Sequence, residues 1–298
     1  MLTFVAIVVD GLVYASWLFI VALGLTLIFG VMRILNVAHG ALYSVGAYTA
    51  ASMIGAYFER GYPAALSYAV LLLAAIVVGI VLGLLLERGL LRFYYGRDEV
   101  LIVLVTYAVF LMFEDVIRLV WGTSPYFAYQ PYTFLGNTQV GRLNFANYDL
   151  SLIGVALITG GTLWWGLNRT RWGKLLSVVI HDRELASALG INVSRVFTVT
   201  FVVGAILGAL GGAVTAPMIS VTFGIGVEVI VLAFAVVVIG GMGSVPGAIL
   251  GAFLVGLARS MAVHLLPQLE LFVIYGIMTL VLTFRPQGLF IRAAARKI

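Results

Sequence analysis

Nine apolar runs, near 8–31, 38–57, 64–86, 100–120, 150–168, 197–217, 228–241, 247–263 and 271–285, take up most of the chain. About 20 apolar residues carry a helix across the hydrocarbon core of a bilayer, where no water satisfies a broken backbone. A chain made of such runs has one fold class open to it, an all-α polytopic membrane helix bundle. The seventh run is short and the eighth follows it across a Gly/Pro turn, so eight and nine crossings are both open. Asp10 complicates the first run, which is then longer, bent or partly interfacial. Charged residues are 10% of the total, against about 25% in soluble domains, and mean hydropathy is +1.14. Nothing between the runs is long or polar enough for a soluble domain, so 1–298 reads as a single transmembrane domain. Cysteine is absent, which excludes disulfides and thiolate metal sites. Met1-Leu2-Thr3-Phe4 offers neither a basic leader nor a small-residue cleavage site, so the first run is expected to stay as an uncleaved span.

The net charge of +5 invites a nucleic-acid reading until the basic residues are placed. With alternating crossings and 169–196 cytoplasmic, the inner side carries Arg33, Arg88, Arg92, Arg97, Arg169, Arg171, Lys174, Arg183, Arg195, Arg285, Arg292, Arg296 and Lys297. Only Arg60, Arg118, Arg142 and Arg259 fall on or near the other side. The positive-inside rule then puts the N-terminus outside and the C-terminus in the cytoplasm. The basic excess is topological, and nucleic acid has no place as a partner.

The longest external connection, 122–149, is rich in aromatic residues, with Tyr126, Phe127, Tyr129, Tyr132, Phe134, Phe145 and Tyr148 beside Pro125 and Pro131. Connections beyond about 12–15 residues are uncommon unless functional or disordered, so a folded cap is expected. It serves either as an interfacial aromatic belt or as a platform for an external binding protein. Inside the bundle, close backbone approach across small residues helps helices associate in lipid. Gly204, Gly208, Gly212 and Ala216 line one face of the sixth run, and Gly40, Ser44, Ala47, Ala51 and Gly55 one face of the second.

Gly240-Gly241-Met242-Gly243-Ser244-Val245-Pro246-Gly247 would ruin a continuous helix. It is either a helix break lining a pathway, as in transporters with discontinuous helices, or a plain hairpin turn. Asn36-Val37-Ala38-His39-Gly40 opens the second run; its His39 suits an interfacial site, an internal hydrogen bond, a hinge or a pathway lining better than a proton relay. Glu114 and Asp115 lie one turn from Arg118, which predicts an internal ion pair. Glu228, at the start of the seventh run, gains from the helix N-terminus.

The least membrane-like stretch is 169–196. Residues 182–189 favour a short helix with Asp182 as N-cap and Gly190 as C-terminal stop. Leu185 and Leu189 form an apolar ridge on it, suited to a groove in a partner protein or to the membrane surface.

Glu184, Ala186 and Gly190 resemble the EAA loop of ABC importer permeases, with Leu185 where the middle alanine stands and without the later Ile-x-Leu-Pro element. Three further blocks are similar to the LivH-type permease of branched-chain amino acid ABC importers. They are Gly30 to Gly40, Gly240 to Gly251, and Arg285-Pro286-Gln287-Gly288-Leu289. The resemblance runs through nearly the whole chain in block order. It implies a multi-pass permease subunit of the bacterial cell inner membrane, usually beside a homologous second permease, with two ABC ATPase subunits below and a periplasmic substrate-binding protein above. The mechanism expected with these partners is alternating access, with 182–190 as the coupling helix and the pathway or hinge read above at Asn36, His39, Gly40, Gly240, Gly241, Gly243, Ser244, Pro246 and Gly247. Family members carry branched-chain and other amino acids, urea or small carboxylates.

The residues place the ATP engine elsewhere. The chain has no Gly-x4-Gly-Lys-Ser/Thr loop, so ATP and magnesium are expected on the partner ATPases and no cofactor on this chain. The histidines, at 39, 181 and 264, are too scattered for a metal site. An ion-coupled secondary transporter is the alternative, with Glu114 and Asp115 as its carboxylates. An intramembrane enzyme pairing His39 with one of them is a remoter one.

Overall fold

The computed structural model describes residues 2–290. Its helices are α1 (Leu2–Met32), α2 (His39–Glu59), α3 (Ser67–Gly89), α4 (Glu99–Trp121), α5 (Gln130–Phe134), α6 (Asn147–Arg169), α7 (Arg171–His181), α8 (Arg183–Ala188), α9 (Val193–Thr215), α10 (Ile225–Gly240), α11 (Val245–Leu265) and α12 (Glu270–Phe284). An antiparallel hairpin of β1 (Asn137–Val140) and β2 (Leu143–Ala146) precedes α6. Among the described residues, α1, α3, α4, α6, α9 and α11 are long and apolar enough to span a membrane, and α10 and α12 are shorter apolar helices. The chain is a polytopic helical membrane bundle.

Each expected run is a helix, with ends shifted by a few residues. The 122–149 connection folds as anticipated, into α5 and the hairpin, and Tyr126 pairs with Val221 in a backbone bridge. Tyr68 Oη donates to the Pro131 carbonyl at 2.8 Å, tying this cap to the start of α3. The short helix expected over 182–189, with Asp182 as its N-cap, is α8. Two expectations need correction. Residues 171–181, read as part of a polar connection, form α7, because Trp172, Leu175, Leu176 and Val179 recur at helical spacing. The ion pair of Glu114 or Asp115 with Arg118 is not formed: Glu114 turns into the bundle, while Asp115 and Arg118 stay exposed. The tail bearing Arg292, Arg296 and Lys297 lies outside the described residues.

At the centre stands α9, packed on α1, α2 and α3. Glycines make the contact: a Cβ on Gly212 would strike the Tyr43 carbonyl, and one on Gly79 the backbone of Ile206. Tyr43 Oη and Thr215 Oγ1 close the α2–α9 seam at 2.6 Å.

The bundle has two ends, one bearing α7 and α8 and the other the β-hairpin. Two helices begin within it rather than at an end. His39, the first residue of α2, is fully buried, and its Nε2 donates to the Val21 carbonyl, well inside α1, at 3.0 Å. Gly226, in the first turn of α10, meets the Gly40 carbonyl and Ser44 Oγ of α2. The chain therefore doubles back over 33–38 and again over 216–224.

Candidate functional site

At the α7–α8 end three glycine-bearing stretches, distant in sequence, come together. Helix α10 stops at Gly240 and α11 starts at Val245, with Pro246 in its first turn. Ser244 caps α11, its Oγ accepting from the Gly247 N–H at 3.1 Å. Gly241 and Gly243 take φ values of 104° and 81°, a region open to glycine and strained for other residues. Gly240 and Gly247 face each other so closely that a Cβ on either would collide with the other's carbonyl. In backbone terms the break is a tight helix hairpin.

The second stretch arrives from α1, where a Cβ on Gly243 would lie 2.9 Å from Gly30 Cα. The third follows α12. Leu289 and Phe290 donate their N–H groups to the carbonyls of Ile239 and Gly240, at 2.9 and 3.0 Å. Those carbonyls belong to the last turn of α10, which a helix end leaves without internal donors. A cavity of about 490 Å³ opens beside this junction, with Thr26, Asn168, Ser177, Ser244 and Pro246 among its lining residues.

Next to the junction sits α8. Asp182 caps it, its carboxylate accepting from the Glu184 and Leu185 N–H groups at 2.9 Å each. Gly190 ends it at φ 79°. The Gly190 and Ile191 N–H groups return to the Ser187 and Ala186 carbonyls at 2.9 and 3.0 Å, a Schellman-type closure. Ala186 is fully buried against the bundle, while Leu185 and Leu189 are 54% and 66% exposed. Glu184 is exposed beside them. Arg183 anchors the other side: a guanidinium nitrogen donates to the Met32 carbonyl at 2.9 Å, and the group lies 5.0 Å over the Phe197 ring. Burial, with Arg33 close by, lowers the Arg183 pKa from its usual value. Arg33 itself turns the chain out of α1 at φ 59°.

The Asn36–Gly40 block runs from this end into the interior. Asn36 is fully buried, and neither atom of its amide has a partner. Thr106 Oγ1 accepts from the neighbouring Val37 N–H at 3.2 Å. The His39 ring is held between Gly24 and Gly208, which leaves Nδ1 unpartnered and excludes the interfacial reading of this histidine. Where α2 meets α10, Ser44 Oγ and Glu114 Oε1 are buried without partners, and the Glu114 carboxylate faces the Gly224 N–H.

Sequence reasoning passed over Glu87. It is fully buried in the last part of α3 and accepts from Tyr95 Oη at 2.6 Å and Thr198 Oγ1 at 2.7 Å. Burial, and then the Glu87 carboxylate, raise the Tyr95 phenol well above its usual pKa. Glu87 falls just beyond the apolar run 64–86, beside Arg88 and Arg92, where no local pattern signals burial. Also missed were the ion pair Arg259–Glu270 and the contact of His264 Nε2 with the Asp10 carboxylate at the hairpin end, the second at 3.3 Å.

Residues 7–282 match the family described as the branched-chain amino acid transport system permease component. The chain is 27% identical to the high-affinity branched-chain amino acid transport system permease protein BraD of Pseudomonas aeruginosa, over 97% of this chain and 96% of the relative. It is 27% identical, with the same coverage, to the LivH permease protein of that transport system in Escherichia coli K12. A probable branched-chain amino acid transport permease protein LivH of Methanocaldococcus jannaschii is 26% identical over 94% of this chain and 90% of its own length. No solved structure matches the chain. With the match covering nearly every described helix, this chain belongs to the permease component family of branched-chain amino acid transport systems.

Proposed function

We propose that the chain is the transmembrane permease subunit of an ABC importer of the bacterial inner membrane and forms the translocation pathway for branched-chain or related amino acids. ATP and magnesium bind two partner ATPases, and a periplasmic binding protein delivers substrate. A homologous second permease subunit stands beside this one. The α7–α8 end faces the cytoplasm, in line with the cluster of Arg88, Arg92, Arg97, Arg169, Arg171, Lys174 and Arg195 at that end. The hairpin end receives the binding protein.

The observation that carries this reading is α8. A capped helix fixed to the bundle by Ala186 and Arg183 holds Leu185 and Leu189 outward, uncovered among the described residues. That shape fits a helix in a groove. In this mechanism Leu185 and Leu189 enter the ATPase surface, with Glu184 at the rim, Asp182 and Gly190 keeping the helix wound, and Ala186 pressing on the bundle. When the ATPases close on ATP, α8 moves, and Arg183 carries the displacement to the end of α1 through Met32. From there it reaches Asn36, His39 and Gly40 on one side. On the other it reaches the junction of Gly240, Gly241, Gly243, Ser244, Pro246 and Gly247. A route opened alternately to each side holds substrate only in passing, so selectivity rests with the binding protein. The test is reconstitution with the ATPases and binding protein: radiolabelled leucine uptake requires ATP and is lost with Leu189→Asp. Uptake driven by an ion gradient alone sinks the reading.

A further inference from the structure

Two cavities meet along α6. One is the opening of about 490 Å³ beside the glycine junction, and the other, of about 420 Å³, lies between α1, α6 and α11. Trp164, Val245 and Pro246 line both, so the two form one continuous cleft. Either part alone has the volume of a small-ligand pocket.

The parts differ in chemistry. Between α1, α6 and α11 the walls are Leu12, Phe19, Ile153, Leu157, Ile249 and Phe253 with small residues among them. The one hydroxyl in this part, on Ser16, is committed to the Leu12 carbonyl at 2.7 Å. Leu157 and Ile249 are 71% and 50% exposed, so the slot opens on the outside of the bundle, toward lipid. Along α6 it runs from Ile153 to Trp164, which at 1.5 Å per residue is about 17 Å. One leaflet contributes about 15 Å to a hydrocarbon core about 30 Å thick. The slot therefore matches the depth of a single acyl chain.

At the α7 end the cleft turns polar, with Thr26, Asn168, Ser177 and Ser244 on its walls. Thr26 is 1% exposed, and its Oγ1 has no hydrogen-bond partner, an orphan that costs free energy unless an occupant meets it. Helix α11 starts at this wall, which brings the positive end of its dipole to the cleft. Lys174 stands one turn before Ser177 on α7, and Arg169 follows Asn168; both are exposed, and neither forms an ion pair among the described residues. No carboxylate lines either part. An apolar slot that ends in a basic, donor-bearing mouth is complementary to an amphiphile with a negative head. We propose that this cleft binds one anionic phospholipid of the cytoplasmic leaflet, its phosphate at Lys174 and the start of α11 and one acyl chain in the slot along α6. The proposal rests on reading the α7–α8 end as the cytoplasmic one. The lipid then braces α7 against the glycine junction.

The test is native mass spectrometry of the purified importer complex, titrated with dioleoyl phosphatidylglycerol or with dioleoyl phosphatidylcholine. The wild type is expected to retain the anionic lipid in preference to the neutral one. A basic residue near an anionic surface is worth about a fivefold change in binding, so Lys174→Gln should lower retention of phosphatidylglycerol about fivefold and Lys174→Arg should keep it. A Cβ on Gly161 or on Gly154 meets nothing within 4 Å, yet only Gly161 lines the slot. Gly161→Phe should therefore lower retention at least fivefold and Gly154→Phe leave it unchanged; Ile249→Trp, from the opposite wall, should act like Gly161→Phe. Equal retention of the two lipids overturns the proposal. So does wild-type retention by both Gly161→Phe and Ile249→Trp, or displacement of phosphatidylglycerol by inorganic phosphate, which would leave an anion pocket without a lipid. Leucine uptake by the same preparations in liposomes separates the two claims. ATP-driven uptake without lipid selectivity refutes this site alone, whereas ATP-independent uptake refutes the permease reading whatever lipid is retained.

Discussion

Replacing Leu189 with Asp tests the coupling assignment with little disturbance of the chain itself. Leu189 is 66% exposed, and exposed substitutions away from special features change stability by about 0.5 kcal/mol or less. Burying a whole leucine side chain is worth about 1.5–3 kcal/mol. Covering the exposed part of Leu189 in an ATPase groove therefore contributes about 1–2 kcal/mol. The aspartate forfeits that and adds the desolvation of an unpaired carboxylate, about 3–4 kcal/mol more. The sum, about 4–6 kcal/mol, weakens the complex by about three to four decades. Leu189→Ala loses only the apolar part, about tenfold. Ala186→Asp is the contrasting control: it puts a charge at a fully buried position and should destabilise the permease itself. Co-purification with the ATPases and substrate-stimulated ATP hydrolysis in liposomes report coupling, and thermal unfolding of the isolated permease reports folding. Wild-type co-purification and stimulation by Leu189→Asp would show that α8 is not the coupling helix. Equal loss in Leu189→Ala and Leu189→Asp would refute the charge argument.

Gly190→Val should uncouple transport, because a β-branched residue is strained at φ 79° by at least about 1–2 kcal/mol, while Gly190→Asn keeps most of the activity; equal uptake by the two would contradict the capping role. Reporter fusions near residue 135 should signal the external side, and fusions near residue 178 the cytoplasmic side. A cytoplasmic signal near 135 reverses the orientation. Gly212→Leu should abolish assembly rather than slow transport, since no rotamer clears the Tyr43 carbonyl; a stably folded variant with a wild-type melting temperature would contradict the packing described for α2 and α9.

The helices were legible because lipid demands long apolar runs, and the cap of Asp182 and stop of Gly190 because each carries a local backbone requirement. What did not read from sequence depends on contacts between distant segments. Glu87 lies just past the apolar run 64–86 beside Arg88 and Arg92, and only its contacts with Tyr95 and Thr198 reveal it as buried. Nothing local says that His39 reaches Val21, since α2 starts inside the bundle rather than at its edge. The Glu114–Arg118 pair, favoured by spacing, lost to the Gly224 N–H group at the start of α10. Helix α7 was hidden by its charges, although its apolar residues repeat at the helical interval. The convergence of Gly30, Gly243 and Gly288 is visible as shared motif blocks in sequence, but their meeting place is a property of the fold.

The glycine seams also sort the molecule by stiffness. Side chains that interdigitate can exchange rotamers and slide; two main chains in contact have no such freedom. Gly212 on Tyr43, Gly46 on Ala209 and Gly79 on Ile206 join α9 to α2 and α3 in this way, and Gly24 on Gly204 joins it to α1. These four helices form a slab that resists bending. The rim is held differently: Phe110 brings α4 to Gly40 through its ring, and Phe19 meets α6 at Gly160 through its own. Compliance is concentrated there. In the mechanism proposed above, the rim helices swing against this slab, as a door moves in its frame, and the frame is drawn by the positions that can hold nothing larger than hydrogen.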